Sequence, residues 1–129
     1  MKKAIITDTA PEPAGPYSHG MVLNNHMFLS GQGPLDSRTN TLVGGSIQEQ
    51  VSHTLANIDR ILEAGGFSRS DLVSMRVFLS DLNDFPGMNE AYEVFFMTVK
   101  DRPVRTTVQV GLPRGMLVEI DGIAAKDVT

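Results

Sequence analysis

The chain has 129 residues, 41% of them hydrophobic, with no cysteine, a formal net charge of −4 and a pI near 5.2. That length suits one domain with a core of its own, and the missing cysteines exclude disulfides, thiolate nucleophiles and Cys-based zinc sites. Scattered Lys and Arg residues, two tyrosines and no tryptophan argue against a nucleic-acid partner, which needs a basic surface and rings for base stacking.

Met1-Lys2-Lys3-Ala4-Ile5-Ile6 sets two lysines before a very short apolar run. A signal peptide needs an apolar region of roughly 7–15 residues. No apolar run approaches the roughly 20 residues that cross a bilayer, so the expectation is a soluble, cytoplasmic protein. Lys3 to Ile6 predicts an edge strand. Gly15-Pro16-Tyr17-Ser18-His19-Gly20 follows as a loop that holds a ring and an imidazole between rigid punctuation, with an ordinary turn leading into a strand as the favoured reading. Met21-Val22-Leu23 and Met27-Phe28-Leu29, separated by Asn24-Asn25, predict a hairpin. Ser30-Gly31-Gln32-Gly33-Pro34 closes the second strand with two glycines. They either admit a ligand close to the backbone or simply terminate the strand. Pro34 to Gly45 is a polar loop, of a length that tends to be functional or mobile.

Ser46-Ile47-Gln48-Glu49 is a capping box. Ile47, Val51, Leu55, Ile58 and Leu62 then recur at helical spacing until Gly65-Gly66, which can end a helix in the left-handed conformation. Val73, Met75, Val77 and Leu79 alternate with Ser74, Arg76, Phe78 and Ser80, predicting a strand with one apolar face. A second helix is predicted from about Asp84 to Val99, with Pro86 in its first turn and Phe85, Met88, Tyr92, Phe95 and Val99 as its stripe.

In the next strand Arg105, Thr107 and Gln109 share one face, opposite Val108 and Val110. From Leu117 to Ala124 a last strand carries Glu119 and Asp121 on one face, opposite Val118 and Ile120. If these two strands pair as a hairpin across Gly111 to Gly115, an arginine, a threonine and one or two carboxylates converge. Such a group can hold a carboxylate ligand and supply a base for water. The same alternation also describes a solvent-facing sheet with a cross-strand ion pair. His19, His26 and His53 lack metal-ligand spacing, and no phosphate loop, dinucleotide fingerprint or G-x-S-x-G occurs, so no metal or cofactor is implied. The element order is β-β-β-α-β-α-β-β, a two-layer α+β domain spanning residues 1–129.

Five stretches, taken together, closely resemble the Rid/YjgF family. They are Ala14-Gly15-Pro16-Tyr17-Ser18; Phe28-Leu29-Ser30-Gly31-Gln32; Asp81-Leu82-Asn83-Asp84-Phe85 leading to Asn89-Glu90-Ala91-Tyr92; Arg102-Pro103-Val104-Arg105-Thr106; and Leu112-Pro113 with Val118-Glu119-Ile120. The resemblance implies a chorismate-mutase-like fold, with a mixed six-stranded sheet and two helices on one face. It also implies a homotrimer with a ligand cleft at each subunit boundary. That expectation agrees with a sheet whose second face also carries apolar residues and needs cover.

The resemblance implies that Arg105 binds a substrate carboxylate and that Glu119 positions or activates water. Tyr17 would line the cleft, with Ser30, Gly31 and Gln32 on the strand end beside it. Asn89 would lie near the cleft, and Thr107 stands where many family deaminases have cysteine. Gly33 replaces a bulkier residue, which suggests a wider cleft. The implied activity is hydrolysis of 2-imino acids, such as 2-iminobutanoate and 2-iminopropanoate, to 2-oxo acids and ammonia. A non-catalytic carboxylate-binding or regulatory trimer is the alternative. A ribonuclease role, also attributed to some members, fits the acidic charge poorly.

Overall fold

The computed structural model describes residues 1–127. Six strands form one sheet: β1 (Lys2–Ile5), β2 (Gly20–Leu23), β3 (His26–Gln32), β4 (Leu72–Leu79), β5 (Val104–Gln109) and β6 (Val118–Ala125). Helices α1 (Ile47–Ala64) and α2 (Phe85–Phe95) pack together on one face. The strand order is β1-β2-β3-β6-β4-β5. Every pair is antiparallel except β4–β5, which is parallel and joined by the crossover through α2, as parallel neighbours require. This is the expected α+β architecture.

α1 begins and ends as its residues predict. Ser46 Oγ accepts from the Glu49 amide at 3.2 Å, and a Glu49 carboxylate oxygen accepts from the Ser46 amide at 3.2 Å. At the other end Gly66 has φ +81°, its amide bonds Glu63 O at 3.0 Å, and the Phe67 amide bonds Leu62 O at 2.8 Å. This is the paired arrangement that closes helices through a left-handed residue. Val51, Leu55, Ile58, Ile61 and Leu62 are fully buried against the sheet.

α2 is shorter than its apolar stripe predicts, ending at Phe95 rather than Val99. Arg69 explains the stop. Its Nη1 donates to Phe95 O at 2.8 Å, its guanidinium lies 4.0 Å from the Phe95 ring centroid, and it pairs with Asp59 on α1. Phe96 and Val99 continue the buried stripe in turns. In β4 the register shifts between Leu72 and Ser74, so Leu72 joins the core and Val73 is exposed, the reverse of the simple alternation. β1 begins one residue earlier than predicted.

The Pro34–Gly45 loop is anchored. Asn57 of α1 donates to Gly33 O at 3.0 Å and Leu35 O at 2.9 Å, and Asp36 Oδ1 accepts from the Arg38 and Thr39 amides. Among the described residues, no helix is long and apolar enough to cross a membrane.

Candidate active site

The expected hairpin between β5 and β6 does not form. β4 lies between them, parallel to β5 and antiparallel to β6, and the connection crosses over β4 through a short 3-10 turn at Pro113–Gly115. Register then assigns the faces. Arg105 is opposite Met75 and Thr107 opposite Val77, both of them core residues under the helices. Glu119 is opposite Phe78, which is itself opposite Val108 on the uncovered face. Residues directly opposite one another share a face. Arg105 and Glu119 therefore sit on different faces of the sheet, on strands two spacings (roughly 10 Å) apart and three residues out of step along them. Within one chain they do not converge.

Arg105 belongs to a cleft of about 540 Å³ lined by Asn89, Tyr92, Glu93, Arg102 and Pro103. Its guanidinium carbon lies 4.8 Å from the Tyr92 ring centroid and 5.4 Å from that of Phe85, and Nη1 lies 3.7 Å from Met88 Sδ. Among the described residues it forms no ion pair. The ring sites of α2 hold the cation without using its hydrogen-bonding fork on an acid, so the fork is available to an anion. Thr107, one pleat along, keeps a buried Oγ1 with no hydrogen-bond partner among the described residues. Burial pushes the Tyr92 hydroxyl up to about 12, against the opposing pull of Arg105 and Arg102.

Glu119 belongs to the second group. The β3–β6 register shifts between Leu29 and Gln32, leaving Ser30 and Gly31 against Asp121 alone, a bulge of the kind that bends a strand. A Cβ added to Gly31 would lie 2.7 Å from Glu119 Oε2, so the carboxylate rests directly over the Gly31 backbone. Burial raises the Glu119 pKa, and the Asp121 charge adds to it.

The Tyr17 loop closes over the same strand end. Ser30 Oγ donates to Ser18 O at 2.5 Å, the Ser30 amide donates to His19 O at 2.9 Å, and the Tyr17 hydroxyl accepts from the Ala14 amide at 3.0 Å. Tyr17, Gly31, Gln32 and Gly33 line a cavity of about 50 Å³. His19 is a clamp: only 2% exposed, its Nε2 donates to Pro11 O at 2.7 Å and its Nδ1 accepts from the Thr7 amide at 3.2 Å.

The predicted site residues thus fall into two groups. Arg105, Thr107 and Asn89 lie around the β5 edge and α2; Tyr17, Ser30, Gly31, Gln32 and Glu119 lie around the β3–β6 seam. Gly33 does not widen the cleft, because the Met116 side chain fills the space its missing Cβ leaves. Sequence reasoning missed Tyr92, Phe85 and Met88, which it counted as core. Their i, i+3, i+7 spacing on one stripe, set beside an arginine-bearing strand, was the available signal.

Residues 7–126 match the family model described as Endoribonuclease L-PSP. A RutC family protein from Pyrococcus horikoshii is 43% identical over 98% of this chain and all of its own length. A 2-iminobutanoate/2-iminopropanoate deaminase from Dermatophagoides farinae is 38% identical, covering 95% of this chain and 94% of the relative. Among solved structures, the Rid family protein YyfA from Yersinia pestis superposes with a TM-score of 0.93 at 35% identity, covering 98% of this chain and all of that one. TdcF from E. coli with bound serine does so with a TM-score of 0.91 at 38% identity, covering 97% and 99%.

Proposed function

The chain belongs to the Rid/YjgF (endoribonuclease L-PSP) family, and from that premise we propose that it hydrolyses short 2-imino acids to 2-oxo acids and ammonia at a site completed by a second copy of the chain. The observation that carries this reading is Arg105, a guanidinium at an open cleft with no acidic partner among the described residues. The deaminase relative from D. farinae and the serine held by TdcF support a ligand with a carboxylate beside a nitrogen-bearing carbon.

Arg105 takes the substrate carboxylate through two parallel charge-assisted hydrogen bonds, which orients the adjacent C=N carbon. Water adds to that carbon as Glu119 accepts its proton, and the imine nitrogen gains a proton, giving a carbinolamine. Glu119 returns its proton to the nitrogen and takes up the hydroxyl proton as the C–N bond breaks, so that ammonia and the 2-oxo acid depart and the carboxyl group ends the cycle ready to ionise again. Burial and the Asp121 charge raise the Glu119 pKa, which makes its carboxylate a stronger base for the water proton and able to return it.

The division into two groups supports assembly. A head-to-tail contact brings the β5 edge of one copy to the β3–β6 seam of the next, and such heterologous contacts close into rings. A homotrimer is the assembly we propose. The test is hydrolysis of 2-iminobutanoate generated in situ, measured against the spontaneous rate. Acceleration that Arg105→Ala abolishes is the expected result. Carboxylate binding without turnover would instead support a non-catalytic binder, and wild-type activity in Arg105→Ala would sink the assignment.

A further inference from the structure

Tyr92 lies on the buried stripe of α2, 8% exposed, yet its ring does more than fill the core. It lies beneath the Arg105 guanidinium, whose carbon is 4.8 Å from the ring centroid. Phe85, seven residues earlier on the same stripe, brings a second ring to 5.4 Å. Between them Met88 places its sulfur 3.7 Å from Nη1. Three positions spaced i, i+3, i+7 thus converge on one cation. None of them is charged. An aspartate or glutamate at any of the three would occupy the fork that the substrate needs, whereas ring faces and a thioether that accepts one weak hydrogen bond from Nη1 hold the cation and leave the rest of the fork to an anion.

We propose that Tyr92, with Phe85 and Met88, is the positioning device for Arg105: an uncharged cradle on α2 that sets the guanidinium before the acid arrives. This rests on the assignment of Arg105 to the substrate carboxylate. A free arginine samples many rotamers, and ordering it beforehand removes that cost from binding. The ring face carries the role. Among the described residues the buried Tyr92 hydroxyl has no hydrogen-bond partner, the guanidinium included, so it gives the guanidinium nothing that a phenyl ring lacks.

The test compares wild type with Arg105→Ala, Tyr92→Leu, Tyr92→Phe, Phe85→Leu and Phe85→Tyr. It measures imine hydrolysis, calorimetric binding of 2-oxobutanoate and thermal unfolding. Tyr92→Leu and Phe85→Leu are expected to raise KM and the 2-oxobutanoate Kd by about 3- to 30-fold, the span of an exposed to a desolvated cation–ring contact. KM and Kd should move more than kcat, because the cradle orders Arg105 before binding and touches no reacting atom. Tyr92→Phe and Phe85→Tyr, which keep a ring, are expected to recover the wild-type Kd. An unchanged Kd in folded Leu variants overturns the proposal, as does Tyr92→Phe binding as weakly as Tyr92→Leu. If Tyr92→Leu does not fold, Phe85, 36% exposed, decides by itself. Arg105→Ala that binds and turns over like wild type overturns the assignment of Arg105, and the cradle with it. Loss in Arg105→Ala with unmoved ring variants overturns the cradle alone.

Discussion

Replacing Arg105 with Lys keeps the charge and removes the planar fork, so kcat/KM for 2-iminobutanoate is expected to fall about 10²-fold or more, nearly as far as in Arg105→Ala. Steady-state kinetics on the two variants checks this. At Glu119, burial and Asp121 both raise the pKa, so the folded chain holds that proton more tightly than the unfolded chain. Ionising it therefore costs stability. The penalty is absent below the ordinary glutamate range and grows as pH rises through the raised value. Hydrolysis uses the ionised form, so rate and stability run oppositely across that window. kcat is expected to climb with pH through a midpoint above the usual glutamate value. Glu119→Gln should lower kcat about 10²–10⁴-fold, flatten that climb, and unfold no more easily than wild type at neutral pH. Gly31→Ala should push the flexible Glu119 carboxylate off the bulge, reducing kcat while leaving the melting temperature nearly unchanged. Tyr17, Arg105 and Glu119 were legible as candidates because their chemistry and motif context are local. The pairing of Glu119 with Gly31 was not, since it depends on a bulge that alternation does not announce.

α1 shows how much one element takes from its own residues. Its capping box and its Gly66 closure use only neighbours within six positions, so both were readable in advance. Ser46→Ala removes the acceptor for the Glu49 amide and is expected to destabilise by about 1 kcal/mol, measured as a shift in the urea midpoint with unchanged slope. α2 was read too long because its terminator, Arg69, comes from a segment before β4. β4 and β6 touch tightly: a Cβ on Gly122 would lie 2.7 Å from Ser74 O and 2.6 Å from Met75 Sδ. Gly122→Ala is expected to cost about 1–3 kcal/mol, the usual range for overpacking, since the Ser74 carbonyl belongs to the ladder and has little room to yield.

Seen whole, the molecule leaves the face opposite the helices open. Val104, 71% exposed, with Phe28, Val108 and the Arg76–Asp121 pair, whose two hydrogen bonds measure 2.9 and 2.5 Å, lies on it. A face of that composition needs cover. If copies meet there and share sites, subunit mixing reports it. Arg105→Ala and Glu119→Gln proteins, each inactive alone, are unfolded and refolded together at equal concentrations. About a quarter of the boundary sites should then combine an intact arginine with an intact glutamate, as random heterologous assembly requires. Regained activity near that fraction is expected, and none should return if each site lies within one chain.

Both ends of α1, the start of α2, the helix faces and the inward or outward sense of most strand residues followed from the sequence alone, because each is set by contacts between residues a few positions apart. Strand adjacency did not. Nothing local to Arg105 or Glu119 says that β4 will insert between their strands. That order is decided by how two helices and six strands bury one shared core, a contest among contacts far apart in the chain. The tertiary structure alone therefore decided that the arginine and the carboxylate occupy opposite faces. It also decided that rings and a thioether, rather than an acid, hold the arginine's side chain.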